Sequence, residues 1–135
     1  MHDFIENSMS IILSKRIWCP KTSTDPIGWS QNNPAHGQGA ATALFIQDLF
    51  GGDVVWAYVT LPDNRKVLHY FNSIDGQALD VTRSQFPKGT LIPKGNLHKS
   101  GQDTSAYLLS DKDMVVRYTT LCHSAGYKSR LDYQK

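Results

Sequence analysis

Cysteine is scarce in this chain of 135 residues. Only Cys19 and Cys122 are present, far apart in sequence. Such a pair is neither a disulfide framework nor a metal-binding spacing. Two free thiols in a reducing cytoplasm are therefore the expectation, with no metal and no cofactor. His98 and His123 likewise show no ligand spacing with any partner. Long apolar runs are missing too. No stretch approaches the roughly 20 residues that a membrane span needs, so no membrane contact is expected. The opening residues, Met1 to Asn7, lack a basic region and carry two acids, which does not read as a signal peptide. Charge bias is small, at +2, and Lys and Arg are scattered. That argues against a nucleic-acid surface. Repeats and low-complexity tracts are absent.

What is present is ordinary globular material, 40% hydrophobic and 19% charged. The length fits one domain, 1–135, with a core over about 3–125 and a polar tail at 127–135. A chain of this size buries roughly two thirds of its unfolded surface.

The hydrophobic period predicts a helix over 3–17, capped by Asp3 and ended by Pro20. A long polar loop follows at 21–37. A second helix is expected from about Gln38 to Phe50, stopped by Gly51-Gly52. The period then changes to that of strands, at Val54–Leu61, Lys66–Asn72 and Ala78–Thr82. Pro62-Asp63-Asn64 and Asp75-Gly76 supply the turns. Residues 83–104 read as loop, with a short strand near Leu91-Ile92. Ser110 is the expected N-cap of a last helix over 111–124, with Asp113 completing a capping box and Gly126 ending it. The layout is α+β, with helices packed on a small antiparallel sheet.

Chemistry concentrates at two places. Asn33-Pro34-Ala35-His36-Gly37-Gln38-Gly39 reads as a tight loop opening into a helix. Many thiol hydrolases carry their nucleophile there, because the helix dipole and its free amides stabilise a thiolate and could hold an oxyanion. Here the position is Gly39, which has no side chain. Thr42, one turn on, has no evident base. The second place is the Asp75-Gly76 hairpin. A two-residue turn pairs residues whose numbers sum to 151, which puts His69 and Asp80 on one face, one diagonal step apart. Their Cβ atoms would then lie roughly 5–8 Å apart. An Asp there fixes the imidazole tautomer and leaves the other ring nitrogen as a base. The same spacing also suits a half-buried strand histidine beside a strand-end carboxylate. His36 and Trp29 are candidate ligand contacts in the loop, although a solvated histidine and a loop anchor suit those positions as well. Cys122, on the apolar face of the last helix, reads as a small hydrophobe, and Cys19 as structural.

Several strings taken together resemble the YunG-like family. They are Trp29-Ser30, Asn33-Pro34-Ala35-x-Gly37-Gln38-x-Ala40-x-Thr42-Ala43-Leu44 and Gln47-Asp48-Leu49-x-Gly51-Gly52. His69-Tyr70-x-Asn72, Asp80-x-Thr82-x-x-Gln85-Phe86 and Arg117-Tyr118-x-x-Leu121 complete the set. The resemblance covers about residues 15–125. It implies a compact relative of papain-like and transglutaminase-like cysteine enzymes, in which the Gly-Gln pair is followed by Cys. The implied roles are nucleophile for position 39, general base for His69 and orienting acid for Asp80. Gln38, or the backbone beside it, would assist an oxyanion. Trp29, His36 and Asn72 would contact substrate. The implied reaction is attack on an amide or other acyl bond of a small-molecule, peptide or protein substrate. Gly39 departs from that pattern, so the scaffold is expected to be inactive as written. Two accounts fit: a disabled variant of a cysteine-bearing parent, or a natural pseudoenzyme. The latter would be a binding module of toxin, immunity or phage-accessory type with a protein partner in the same cleft.

Overall fold

The computed structural model describes residues 2–13 and 17–134. Helix α1 is His2–Leu13. Its stripe of Ile5, Met9 and Ile12 is buried, while Phe4 and Ile11 stay outside. The helix expected over 3–17 is present to Leu13 among the described residues and does not reach Ile17. Residues 14–16 lie outside the described set, and Ile17 is already non-helical. Asp3 sits inside α1 rather than before it. Pro20 opens a short 3-10 turn, Pro20–Thr22, instead of closing a helix. That agrees with the preset φ and missing N–H of proline, which suit a first helical position.

Helix α2, Gly39–Phe50, is the centre of the molecule, with every residue from Gly39 to Ile46 buried. Its alanines, Ala40, Ala41 and Ala43, let neighbouring elements approach closely. The sheet is a meander of β1 (Asp53–Thr60), β2 (Lys66–Ile74) and β3 (Gln77–Leu79), in the order β1-β2-β3. At the second turn Asp75 and Gly76 both have positive φ, 53° and 78°, as a tight two-residue hairpin requires. The register is Asn72↔Leu79 and Ile74↔Gln77, which is the sum-to-151 pairing. β3 is shorter than the expected 78–82, because the chain leaves the ladder at Asp80.

Two apolar clusters follow from strand alternation. Val54, Ile74 and Leu79 join the helices in the main core with Leu44, Phe45 and Leu121. Val55, Ala57 and Phe71 point to the other face, where Ile92 covers them. Each fully buried side chain of this size contributes roughly 1.5–3 kcal/mol by transfer. The segment 83–104 is more ordered than a loop. Leu91 bridges to Thr60 and Asn96 to Trp56, so this segment lines the outer edge of β1. Two-residue strands β4 (His98–Lys99) and β5 (Gln102–Asp103) pair with each other.

Sequence periodicity overlooks α3, Thr104–Leu109, capped by the Asp103 carboxylate accepting from the Ala106 N–H at 2.8 Å. Ser110 is therefore the C-cap of α3, not an N-cap. The N-cap of α4, Lys112–Ser124, is Asp111, which accepts from the Asp113 N–H at 3.0 Å. Asp113 makes no capping box.

The 127–135 segment is polar in composition but folds onto the body. Ser129 is buried, and residues Arg130–Gln134 form a 3-10 turn. Arg130 Nε pairs with Asp48 Oδ1 at 2.8 Å, and its guanidinium donates to the Leu44 carbonyl at 2.9 Å. The buried Tyr118 hydroxyl donates to Asp48 and accepts from the Arg130 N–H. Asp48 and Tyr118 thus act together in holding the C-terminal segment against α2.

Candidate functional site

β3 pairs with β2 only at Asn72–Ile74. Toward His69 that flank of β2 carries no strand among the described residues, and the start of α2 comes against it. A Cβ built on Gly39 would stand 3.2 Å from His69 Nδ1 and 2.8 Å from the Tyr70 carbonyl oxygen. Position 39 therefore addresses the imidazole directly. The other ring nitrogen, His69 Nε2, is 2.8 Å from Asp80 Oδ2. A carboxylate only accepts, so Nε2 carries the proton of that bond, which in the neutral imidazole makes Nδ1 the acceptor facing position 39. Both side chains are well buried, 2% and 11% exposed.

The imidazole is fixed by packing as well. Phe71, two residues along the same face of β2, stacks on it at 5.4 Å between centroids. Phe86 meets it edge-on at 4.8 Å. Asp80 has a second partner, since Thr82 Oγ1 donates to its Oδ1 at 3.4 Å. Gln85 Nε2 donates to the Thr82 carbonyl at 3.1 Å and to Thr82 Oγ1 at 3.3 Å. Gln85 Oε1 accepts from the Gly37 N–H at 3.1 Å. One hydrogen-bonded chain thus runs from the loop before α2, through Gln85, Thr82 and Asp80, to His69. Thr82, Gln85 and Phe86 are site residues to which spacing alone assigned no role. Their signal was two polar side chains and an aromatic closely following Asp80.

The loop itself needs its glycine. Gly37 has φ +70°, and a Cβ there would run into Ser23 Oγ. Ser23 Oγ donates to the His36 carbonyl at 2.9 Å, and the Thr24 N–H donates to the Gly37 carbonyl at 3.0 Å. The start of α2 is thereby clamped in place. Its first amides have no partner inside the helix, and no side chain caps them.

His69, Gly39 and Gly37 open on a cleft of about 560 Å³, whose walls include Leu61, Val67, Phe86 and Pro87. His36 lines the cleft, paired through Nε2 with Asp25 Oδ2 at 2.8 Å. That bond, the largest cause, holds the Asp25 carboxyl below the usual range.

Other candidates lie elsewhere. The Gln38 side chain is fully buried and turned away from the cleft. Its Oε1 accepts from Thr22 Oγ1 at 2.6 Å, and its Nε2 donates to the Cys19 carbonyl at 3.0 Å. Buried and turned toward Cys19 and Thr22, it does not line the cleft, which leaves the oxyanion role to the backbone beside it. Asn72 is 1% exposed and donates to the Ala43 carbonyl at 2.9 Å, tying β2 to α2 rather than meeting a ligand. Trp29 donates its indole N–H to the Pro34 carbonyl at 2.9 Å and anchors the loop outside the cleft wall. The Thr42 hydroxyl accepts from the Trp18 indole at 2.9 Å. Burial pushes the Cys122 thiol up to about 12, as befits a core hydrophobe. Among the described residues no group of three or more His, Cys, Asp or Glu could hold a metal ion, and no helix is long and apolar enough to cross a membrane.

The model of the YunG protein family matches residues 7–124. The chain belongs to the YunG family. A relative, the uncharacterized protein YunG of Bacillus subtilis (strain 168), is 38% identical over 72 residues. That match covers 53% of this chain and 56% of the relative, so it spans little more than half the relative's length. No solved structure matches. The fold is α+β, with helices on a small antiparallel sheet.

Proposed function

We propose that this YunG-family chain is a thiol hydrolase or acyltransferase scaffold of papain-like or transglutaminase-like kind, acting on an amide or other acyl bond and silent as written because position 39 is glycine. One observation carries the reading. His69 Nδ1 faces position 39 at 3.2 Å from a Cβ built there, while Nε2 is held by Asp80. A base needs a free nitrogen aimed at the nucleophile and a partner fixing the other. In a cysteine-bearing form, His69 would take the thiol proton and return it to the leaving group, and Asp80 would stabilise the imidazolium. The first amides of α2 would stabilise both thiolate and oxyanion. Without the thiol the covalent route is lost, and only binding and oxyanion stabilisation are left. No nucleic acid, membrane or cofactor enters this scheme, and two unpaired thiols suit a cytoplasmic setting.

The test is Gly39→Cys. Its new thiol is expected to react with iodoacetamide faster than Cys19 or Cys122, and His69→Ala in that background should remove the advantage. Equal labelling of all three cysteines would overturn the proposal.

A second reading, a natural binding module, is favoured by one feature. The Tyr70 carbonyl comes within 2.8 Å of where a Cβ at 39 would stand, so the start of α2 is seated more closely than any other residue allows.

A further inference from the structure

We propose that the cleft takes an extended peptide, added as a strand to the open flank of β2 with its end delivered to position 39. This rests on the reading of the site given above and names the class of acyl substrate. The argument begins with hydrogen-bond parity. Ile74↔Gln77 flanks a two-residue turn and is therefore a hydrogen-bonded pair, as is Asn72↔Leu79 two residues on. Asn72, Tyr70 and Leu68 then turn their N–H and C=O groups to the β3 side, and His69 and Phe71 turn theirs to β1. The outer edge of β1 obeys the same alternation, since Trp56 exchanges both bonds with Asn96 and Thr60 exchanges both with Leu91. β3 stops at Leu79, so among the described residues no strand reaches Leu68 or Tyr70 on their outward side. Among the described residues no hydrogen bond takes the Leu68 N–H, the Leu68 C=O or the Tyr70 N–H.

Such an exposed edge is ordinarily blunted against self-association by charge, proline or a covering loop. The edge of β1 is covered in that way by residues 91–96. The β2 flank is instead recessed in the cleft. Val67, Leu68, His69 and Tyr70, four consecutive residues of the strand, line it. A recessed edge admits one chain and excludes a second sheet. It also has an end, because the Tyr70 carbonyl runs into Gly39. A peptide paired with Leu68 must stop or turn there, which brings its next carbonyl beside His69 Nδ1. Main-chain pairing supplies affinity in this mode, and alternate side chains supply preference. On one face the peptide would meet Leu61, Val67 and Phe86, and on the other Leu68 and Tyr70, so apolar residues are favoured.

The experiment uses the native chain with Gly39 intact. Uniformly 15N-labelled protein is titrated to millimolar ligand with a pool of capped heptapeptides differing in the central residue, and amide exchange is followed by NMR. Free Leu68 and Tyr70 amides should exchange freely, and the pool should slow them at least tenfold. A matched pool N-methylated on the β2-facing amides should lose the effect, and one methylated on the alternate amides should keep it. Leu68→Pro removes the outward N–H without touching the β1 pairing, and should weaken binding tenfold or more. Protected amides in the free protein, protection elsewhere only, equal effects of both methylated pools, or no response at all would overturn the proposal. So would a response confined to an amide-free acyl ester. Peptide binding with no enhanced thiol in Gly39→Cys would leave strand addition standing and remove the acyl chemistry. A reactive thiol with no peptide response would do the reverse.

Discussion

Replacing Gly39 by alanine tests the packing on which the site depends. A helix position ordinarily gains about 1 kcal/mol when glycine becomes alanine, and less at the first turn. Here the new Cβ would lie 2.8 Å from the Tyr70 carbonyl oxygen and 3.2 Å from His69 Nδ1 and Cε1. Ordinary van der Waals contact begins at about 3.4 Å, so α2 and β2 must part by roughly half an ångström. The nearest obstacle is backbone in a paired strand, which does not swing aside. Overpacking of this kind costs about 1–3 kcal/mol. The clash therefore outweighs the propensity gain, and the net expectation is a loss of about 1–2 kcal/mol. For a domain of this size that lowers Tm by about 3–6 °C, which thermal unfolding followed by circular dichroism resolves easily. Gly76→Ala, with open space around its Cβ but φ +78°, isolates the cost of backbone strain, which Gly39 at a helical φ does not carry. A Gly39→Ala variant more stable than the parent would refute the reasoning and show that α2 relaxes freely. That result would also favour a cysteine-bearing ancestor over a site shaped for glycine.

The remaining predictions concern the network, the C-terminal segment and pH. In the Gly39→Cys background, Thr82→Val should slow iodoacetamide labelling about tenfold, the loss of roughly one charge-assisted hydrogen bond to Asp80. An unchanged rate would separate Thr82 from the site. Arg130→Ala should destabilise by about 2–3 kcal/mol in urea unfolding. The change leaves Asp48 without its cation, and the pair is only partly buried, which trims the full penalty. Alkaline pH should weaken the fold. Burial raises Cys122 from 9.0 to about 12 and Tyr70 from 10.0 to about 12. Their neutral forms therefore contribute stability that is complete below pH 9 and declines as pH rises toward 12. Cys122→Ala should flatten the first part of that decline in urea midpoints. On the acid side, Asp132 is lowered chiefly by its hydrogen bond to His123. Its contribution is present above the ordinary 3.8 and should fade as pH falls through the lowered value, an effect that His123→Ala would diminish.

Local signals carried much of this molecule. Asp75-Gly76 dictates a two-residue turn, and the turn dictates the register, because strand side chains alternate and a one-residue slip would invert every face. That register turns His69 and Asp80 toward one face, but the chain leaves the ladder at Asp80, and their contact is completed outside the paired strands. The entry into α2 was legible locally as well, in the Gly37-Gln38-Gly39 string and the small residues that follow it. What the sequence could not decide is where polar side chains spend their hydrogen bonds. Gln38 satisfies Cys19 and Thr22 instead of the cleft, and Asn72 satisfies a carbonyl of α2. Arg130 crosses the chain to Asp48, which turns an ostensibly loose tail into a docked one. Such choices depend on which buried donors and acceptors the folded chain brings within about 3 Å of one another. That is a property of non-local packing, and no spacing along the chain encodes it. The distance between position 39 and the imidazole belongs to the same class, set by how closely a helix end can settle against the open flank of a strand.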